Sequence, residues 1–282
     1  MGKNKDGGTV MEFCMNEVSI MTRGDLPAHI RACAAHGIFA MEIRKAALLK
    51  YLASGGTLEQ VRAVLEETGV RVACLNALEA VTFQDKRGRQ ELRELAEMLF
   101  YCCRYLNIPY IELVAAFDAP TDDVEQIHAE TVASLLELSD LARPYGVKLA
   151  LEYMGVAPSS VKTFLQSLDI VNEVNRDNVG LLVDTWHHTV AGSTPEDLLR
   201  ARADQIYVVH TSDCPRCEPG TLPRAQSFFP GEGEADIAGM VECLKKIGYE
   251  GVFSVEVMDP ALQALPTEEF LERAKATTIP LL

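Results

Sequence analysis

The chain has 282 residues, of which 48% are hydrophobic, and its formal net charge is −15. A chain of this length can bury one large core, and (β/α)8 barrels typically run to about 250 residues. The negative balance argues against nucleic acid or an anionic membrane as a partner, since both repel an acidic surface, and no apolar stretch approaches the roughly 20 residues that a membrane span needs.

The N-terminus begins MGKNKDGG and has no apolar h-region, so it does not read as a secretory signal. We expect residues 1–9 to form a flexible tail and residues 10–282 to form the catalytic domain. Eight cysteines are scattered through the chain, mostly inside apolar segments, which favours buried thiols in a reducing cytoplasm over a disulfide framework. A homo-oligomer is compatible with the sequence, which leaves the number of subunits open.

Eight short apolar runs predict strands, and amphipathic stretches with apolar residues three and four apart predict helices between them. The predicted strands cover 11–18, 39–44, 70–78, 109–115, 147–154, 179–187, 205–213 and 251–257, and the clearest helical stretches cover 58–69, 92–108 and 161–174. Gly37, Gly69 and Gly146 stand just before strands, as glycines that end helices in the left-handed conformation do. Thr194 and Pro195 read as the N-cap and first residue of another helix.

Eight strands alternating with helices predict a single-domain α/β fold, the closed (β/α)8 TIM barrel. An open doubly wound sheet is the alternative, but its Gly-rich phosphate turn is missing, because GEGEAD at 231–236 lacks the third glycine and follows a loop. The longest irregular segment, about 214–235, follows the seventh strand. It is therefore expected on the catalytic face, where a loop of this length is usually functional.

Four consecutive strands end on residues that bind metals, namely Glu152, Asp184, His210 and Glu256. Each has an ordinary alternative: a solvated loop edge, a turn cap, a core histidine or an arginine partner. The C-terminal ends of parallel barrel strands converge on one mouth, so four equivalent positions favour a metal site. A cation would relieve the repulsion among three carboxylates. The oxygen-rich donor set favours Mn²⁺ or Mg²⁺, with Co²⁺ and Zn²⁺ as alternatives.

Other residues near the predicted strand ends are candidates for binding a substrate. His187 follows Asp184 by three residues and could donate a hydrogen bond, Trp186 could form an apolar wall, and Arg216 could enter the mouth from the long loop; surface or packing roles are the alternatives. Further candidate hydroxyl binders are Asn16, Glu17, Glu42, Arg44 and Asn76. Cys214 and Cys217 form a lone CxxC with no partner pair. A redox role for these two thiols is a weak hypothesis, because no thioredoxin-like pattern surrounds them.

These residues, with DTWHH and the later FPGEGEAD, resemble the xylose-isomerase-like barrels called sugar phosphate isomerases/epimerases. The likeness covers nearly the whole chain and is closest to inosose (2-keto-myo-inositol) isomerases, through FCMNEVS, EIR, LNAL, LSDLARPYGVKLALE, VNEVNRDNVGLLVDT and FPGEG. It implies one divalent metal on the four strand-end residues, with Glu152 and Glu256 as proton-transfer groups. It also implies substrate contacts from His187 and Arg216. The segment CPRCEPGTLPRAQSF departs from the inosose isomerase pattern, which leaves the substrate open.

The expected reaction is isomerisation or epimerisation of a keto-polyol or keto-sugar. A cation on a ketone oxygen and the neighbouring hydroxyl acidifies the C–H between them and stabilises the enediolate, and the two glutamates move the proton. Barrel phosphate sites use the loops after strands 7 and 8, but here Glu232, Glu234 and Asp236 would repel a phosphate. We therefore expect an unphosphorylated substrate.

Three alternatives remain open at this point. A lyase on the same scaffold, such as a dehydratase or a 3-keto-C-glycoside-cleaving subunit, would also form an enolate and then expel a leaving group. An apurinic endonuclease would need histidines on strands 2 and 3, where the chain has Glu42 and Asn76, and a basic face. A non-catalytic binding protein would bind its ligand without metal and without turnover.

Overall fold

The computed structural model describes residues 11–282, so the tail expected over residues 1–9 lies outside the described residues. Eight parallel strands follow one another in chain order around a closed barrel, and the last strand pairs with the first. The strands are β1 Glu12–Asn16, β2 Ala40–Arg44, β3 Arg71–Leu78, β4 Tyr110–Val114, β5 Lys148–Glu152, β6 Val179–Asp184, β7 Ile206–Thr211 and β8 Val252–Val255. The predicted single-domain TIM barrel is confirmed.

Helices connect the strands around the outside of the barrel. They are α1 Leu26–Ala35, α2 Lys45–Ala53, α3 Leu58–Thr68, α4 Lys86–Leu106, α5 Val124–Ala142, α6 Phe164–Val174, α7 Thr185–Val190, α8 Ile237–Ile247, α9 Pro260–Gln263 and α10 Thr267–Thr278. Short 3-10 segments are Glu17–Ser19, Arg143–Tyr145, Pro195–Arg200, Ala203–Gln205 and Ile279–Leu281. No helix between residues 11 and 282 is both long enough and apolar enough to cross a bilayer.

Side-chain caps explain where the predicted helices begin. Helix α3 starts with a capping box between Thr57 and Gln60 and ends at Gly69, whose φ of 71° is left-handed, as predicted. Helix α4 begins six residues before the predicted start at residue 92, because the Asp85 carboxylate accepts a hydrogen bond from the Gly88 N–H. Helix α6 begins at Phe164 rather than at residue 161, because the Thr163 hydroxyl accepts from the Gln166 N–H.

Strand β6 is shorter than the sequence predicts. It ends at Asp184, and the three residues assigned to its end at 185–187 are the start of helix α7. The Asp184 Oδ1 accepts hydrogen bonds from the backbone N–H groups of Trp186 (2.6 Å) and His187 (3.2 Å). The same aspartate therefore ends the strand and caps the helix, which turns the chain sharply at the barrel mouth.

The apolar core has two main parts, and a third, small cluster of Trp186, Val190, Cys214 and Leu222 lies beneath the long loop. The larger part lies between the barrel and its helices, and includes Ile43, Leu99, Phe100, Leu181 and Phe253. The smaller part fills the barrel interior with mostly small and medium side chains and one tyrosine: Cys14, Ala40, Ala73, Cys74, Ala150, Leu182, Tyr207, Val208 and Val252. This inner cluster fills the barrel below the polar residues, which are gathered at the C-terminal ends of the strands.

Candidate active site

The four strand-end residues meet at the mouth of the barrel. Glu152 and Asp184 are the last residues of β5 and β6, His210 is the next-to-last residue of β7, and Glu256 follows β8 directly. Each offers one ligand atom, and all four atoms lie within 4.8 Å of one another. All four residues are buried, since none exceeds 5% exposure. Sequence positions up to 104 residues apart (256 − 152) thus converge on one point.

The donor set fits a divalent cation. The His210 Nδ1 lies 3.5 Å from Glu152 Oε1 and 3.4 Å from Glu256 Oε2, yet both His210 Nδ1 and Glu152 Oε1 lack a hydrogen-bond partner. A buried polar atom without a partner costs free energy, so two such atoms facing one centre indicate a missing ligand. Three carboxylates and one imidazole are donors that Mn²⁺, Mg²⁺, Co²⁺ and Zn²⁺ all accept.

Burial and mutual charge shift the pKa values of these groups in different directions. Burial raises the pKa of Asp184, and the Arg224 charge offsets only part of that rise. Burial also raises the pKa of Glu256, but His210 and Arg224 outweigh it and hold the carboxyl well below its usual pKa. For His210, burial lowers the pKa, whereas the charges of Glu42 and Glu256 raise it by more, so its pKa lies well above 6.5. A proton and a cation would therefore compete for the ring of His210.

Arg224 lies at the candidate site, where the sequence does not predict it. Its Nη2 donates to Asp184 Oδ2 (3.0 Å) and Glu256 Oε2 (2.8 Å), and its guanidinium carbon lies 4.8 Å from the centre of the Trp186 ring. Arg216 of the same loop is the arginine that the sequence offers as a candidate for this mouth, with a surface role as the alternative; the structure places it on the exposed surface of the loop. Two arginines, Arg216 and Arg224, share the loop, and no periodic pattern in the sequence tells which one turns inward.

Trp186 and His187 lie on the first turn of α7, beside the four residues. Trp186 is fully buried, with its indole N–H donating to the Gln226 carbonyl (3.0 Å) and Arg224 over its ring, so the indole supports the loop from beneath. The His187 Nδ1 accepts the Gly155 N–H (3.0 Å), which leaves Nε2–H as the donor of the neutral ring. Burial lowers the pKa of His187 to about 4.

Asn16 and Asn76 contact the site through the carboxylate of Glu256. The Asn16 Nδ2 donates to Glu256 Oε1 at 3.0 Å, and the Asn76 Nδ2 lies 3.5 Å from the same oxygen. The Asn76 Oδ1 accepts from the Arg44 guanidinium. One oxygen of Glu256 is thus held by amides and the other by Arg224. In this arrangement the two asparagines orient a carboxylate that the sequence analysis expected to transfer protons.

Glu17, another candidate substrate binder, has both carboxylate oxygens engaged by the protein. Its Oε1 lies 2.6 Å from His29 Nδ1, and its Oε2 accepts the Arg44 N–H at 2.7 Å. The side chain is fully buried. Glu17 therefore ties the turn after β1 to helix α1 and strand β2.

Two further buried carboxylates lie around His210. The atoms of Glu42, Glu112 and His210 form a second group within 4.8 Å of one another. The Glu42 carboxylate lies 3.1 Å from His210 Nε2, the nitrogen opposite the one that faces Glu152 and Glu256. Glu112 has an unpartnered Oε2, and burial together with the charge of Glu152 raises its pKa well above 4.5.

The long loop after β7 is anchored at its base by Asp213. Its carboxylate accepts the backbone N–H groups of Cys214 (2.8 Å), Gly231 (2.9 Å) and Ala235 (2.9 Å), and its backbone exchanges two hydrogen bonds with Phe228. The expected irregular segment at 214–235 is confirmed, since no helix or strand lies between Thr211 and Ile237. Burial raises the pKa of the Cys214 thiol to about 12, which argues against a reactive CxxC thiolate.

Comparison with known proteins agrees with this architecture. Residues 30–276 match the family model described as xylose isomerase-like TIM barrel. Inosose isomerase from Bacillus licheniformis is 34% identical over 95% of this chain and 97% of its own length. A crystal structure of IolI protein with a zinc atom superposes with a TM-score of 0.92 at 33% identity, covering 96% of this chain and 98% of the other. More distantly, 3-dehydroshikimate dehydratase from Pseudomonas putida is 24% identical over 89% of this chain but 39% of its own length. The chain therefore belongs to the xylose isomerase-like TIM barrel family.

Proposed function

We propose that this protein is a divalent-metal-dependent isomerase or epimerase that acts on a keto-polyol or keto-sugar, with an inosose as the first substrate to test. The convergence of the ligand atoms of Glu152, Asp184, His210 and Glu256 within 4.8 Å carries the proposal. Similarity to inosose isomerase along almost the full length of both chains supports it. The eight free cysteines support a cytoplasmic location.

One divalent cation would be held by these four residues. Three oxygen donors and one nitrogen favour Mn²⁺ or Mg²⁺, and Co²⁺ or Zn²⁺ would also fit; the related IolI structure contains zinc. When bound, the cation would polarise the substrate carbonyl and stabilise the negative charge that develops on its oxygen.

The two glutamates would exchange the proton with neighbouring substrate carbons. Glu256 is held ionised by His210 and Arg224 and oriented by Asn16, which suits a base. The Oε1 of Glu152 faces the cation position and has no protein hydrogen-bond partner, so the second oxygen of this carboxylate would receive or return the proton. Such general acid–base steps typically contribute about 10²–10⁴-fold each. The Nε2–H of His187 would donate to a substrate hydroxyl, and this would orient the ring.

We expect the substrate to lack a phosphate group. In many barrels a helix N-terminus after strand 7 or 8 binds phosphate. Here the N-terminus of α8 is already capped by the Asp236 carboxylate, which accepts the Gly239 N–H at 2.9 Å. Glu232 lies on the same turn and pairs with Arg273 (2.7 Å). A phosphate would therefore meet carboxylates at this position.

Solvent proton exchange tests the proposed reaction. The Mn²⁺-loaded protein, incubated with 2-keto-myo-inositol in D₂O, should incorporate deuterium next to the carbonyl and yield an isomeric inosose, both detected by NMR. Glu152→Gln and Glu256→Gln should each lower exchange by at least about 10²-fold, whereas Glu66→Gln, on the exposed face of α3, should leave it unchanged. Full exchange in either active-site variant would remove that residue from proton transfer.

A competition assay tests the expectation about phosphate. Free keto-polyols should inhibit exchange competitively, whereas matched sugar phosphates should not. Tight inhibition by the phosphates alone would overturn this part of the proposal.

A lyase is the second candidate function, favoured by the similarity to 3-dehydroshikimate dehydratase. The same proton abstraction would then be followed by loss of water rather than by return of the proton. Product analysis separates the two functions: a dehydratase would release an unsaturated product with new ultraviolet absorbance, and an isomerase would give a product of unchanged mass.

A further inference from the structure

The imidazole of His210 lies between two groups of carboxylates. Its Nδ1 faces Glu152 Oε1 (3.5 Å) and Glu256 Oε2 (3.4 Å), and neither approach is a hydrogen bond. Its Nε2 lies 3.1 Å from each oxygen of Glu42 and is hydrogen-bonded to Oε2. The side chains of His210 and Glu42 are both fully buried. The two ring nitrogens therefore meet different environments, one a candidate ligand centre and the other a single carboxylate.

We propose that Glu42 is a positioning residue that fixes the orientation and tautomer of His210, so that His210 binds the cation through Nδ1. This inference rests on the metal site of the proposed function. A carboxylate accepts hydrogen bonds and does not donate them, so the proton of the neutral ring belongs on Nε2 and the lone pair on Nδ1. Partners of this kind raise the basicity of a histidine ligand and hold its ring plane.

Among the described residues, His210 is the hydrogen-bond partner of the Glu42 carboxylate. Strand β2 carries Glu42 to the barrel interior, beside Asn16 of β1 and Cys74 of β3 in the register of the sheet. Within residues 11–282, the Glu42 carboxylate has one hydrogen-bond partner, which is His210. A charge buried this deeply is costly unless it is paired, so the histidine and the glutamate stabilise each other across the barrel.

Glu112 provides a matched control for Glu42 and also suggests a competing interpretation of this group. It also carries a buried carboxylate near His210, but it makes no hydrogen bond with the ring. A second cation shared by Glu42, Glu112 and His210 is the competing interpretation of this group. Such a cation would take the Nε2 lone pair and break the contact between His210 and Glu42. The two interpretations differ in the number of cations bound per chain and in the ring nitrogen that carries the proton.

Metal binding measured by calorimetry with Mn²⁺ or Zn²⁺ tests the proposal directly. The wild type should bind one ion per chain. Glu42→Leu should lower its affinity by about 10–100-fold. Glu42→Gln, whose side-chain oxygen can still accept from Nε2–H, should have an affinity between those of the wild type and Glu42→Leu. Glu112→Gln changes a buried carboxyl group of the same region that makes no hydrogen bond with the ring, so it should lower the affinity less than Glu42→Gln does.

A spectroscopic measurement identifies the nitrogen itself. With ¹⁵N-histidine and ¹¹³Cd, the His210 ring should show a protonated Nε2 and a ¹¹³Cd coupling to Nδ1; the chain has six histidines, so the spectrum is tractable. Coupling to Nε2, two ions per chain, or equal losses in Glu42→Gln and Glu112→Gln would each overturn the role of Glu42 while leaving the metal-dependent function intact. A wild type that binds no ion would overturn both.

Discussion

Arg224 places a guanidinium group between two carboxylates of the candidate metal centre. It donates to Asp184 and Glu256 and stacks on Trp186, with its own side chain 16% exposed. Without a cation, the site holds three buried carboxylates, and Arg224 neutralises part of their charge. The arginine therefore has a structural role in the metal-free protein, before any role with substrate.

Removing this arginine should destabilise the metal-free protein more than the metal-loaded one. Arg224→Ala leaves Asp184 and Glu256 without their buried partner, so we expect a loss of about 3 kcal/mol in the free energy of unfolding in EDTA. A divalent cation supplies the missing positive charge, so it should restore much of the loss. Denaturant unfolding with and without Mn²⁺ measures both quantities. Arg216→Ala, on the exposed part of the same loop, should change stability by less than about 0.5 kcal/mol, and equal losses in the two variants would contradict the assignment.

The turn after β1 and helix α1 are joined by a charged hydrogen bond. The His29 Nδ1 lies 2.6 Å from Glu17 Oε1, and its Nε2 lies 2.6 Å from the Arg23 carbonyl oxygen. Both partners accept, so both ring nitrogens must carry protons, which is the imidazolium form. Burial lowers the pKa of His29, but the hydrogen bond and charge of Glu17 outweigh it, and the pKa lies above 6.5.

This pair should make the stability of the protein fall as the pH rises above 6.5. The folded state binds the His29 proton more tightly than the unfolded state does, so its contribution is complete below pH 6.5 and disappears as the pH rises through the raised pKa. We expect wild type to lose more stability than His29→Gln across that window, as measured by urea unfolding at a series of pH values. Parallel curves for the two proteins would show that His29 is not the titrating group.

Sequence predicts the elements of this molecule better than it predicts its loops. Strand-end residues such as Glu152 and His210 could be found because a buried strand has a recognisable pattern and a barrel brings its strand ends together. Arg224 and Asp213 lie in a segment with no period, where only the folded backbone shows which side chains turn inward. The sequence predicts residues 185–187 as the end of strand β6 because they continue an apolar run; in the structure they begin helix α7, which the Asp184 carboxylate caps.

The molecule as a whole should be more stable with its cation than without it. Any ligand that binds only the folded state raises stability, by about 2.7 kcal/mol at 100 times its Kd. We therefore expect dialysis against EDTA to lower the melting temperature and added Mn²⁺ to restore it, as followed by calorimetry.

Asp184→Asn is the control for that experiment. The Asn side-chain oxygen can still accept the N–H groups of Trp186 and His187, so the cap of α7 should survive. The charge that would bind the ion is lost, and the melting temperature should no longer respond to Mn²⁺. An unchanged response would place the ion elsewhere in the protein.

The Asp213 carboxylate accepts three backbone N–H groups and so brings residues 214, 231 and 235 to one point. The residues between them form a loop whose two ends are fixed in place. Amino-acid changes within this loop can alter which side chains reach the substrate while the barrel keeps its shape. Related chains could therefore come to accept different molecules through substitutions between residues 214 and 235, provided that the Asp213 carboxylate and its three hydrogen bonds are kept.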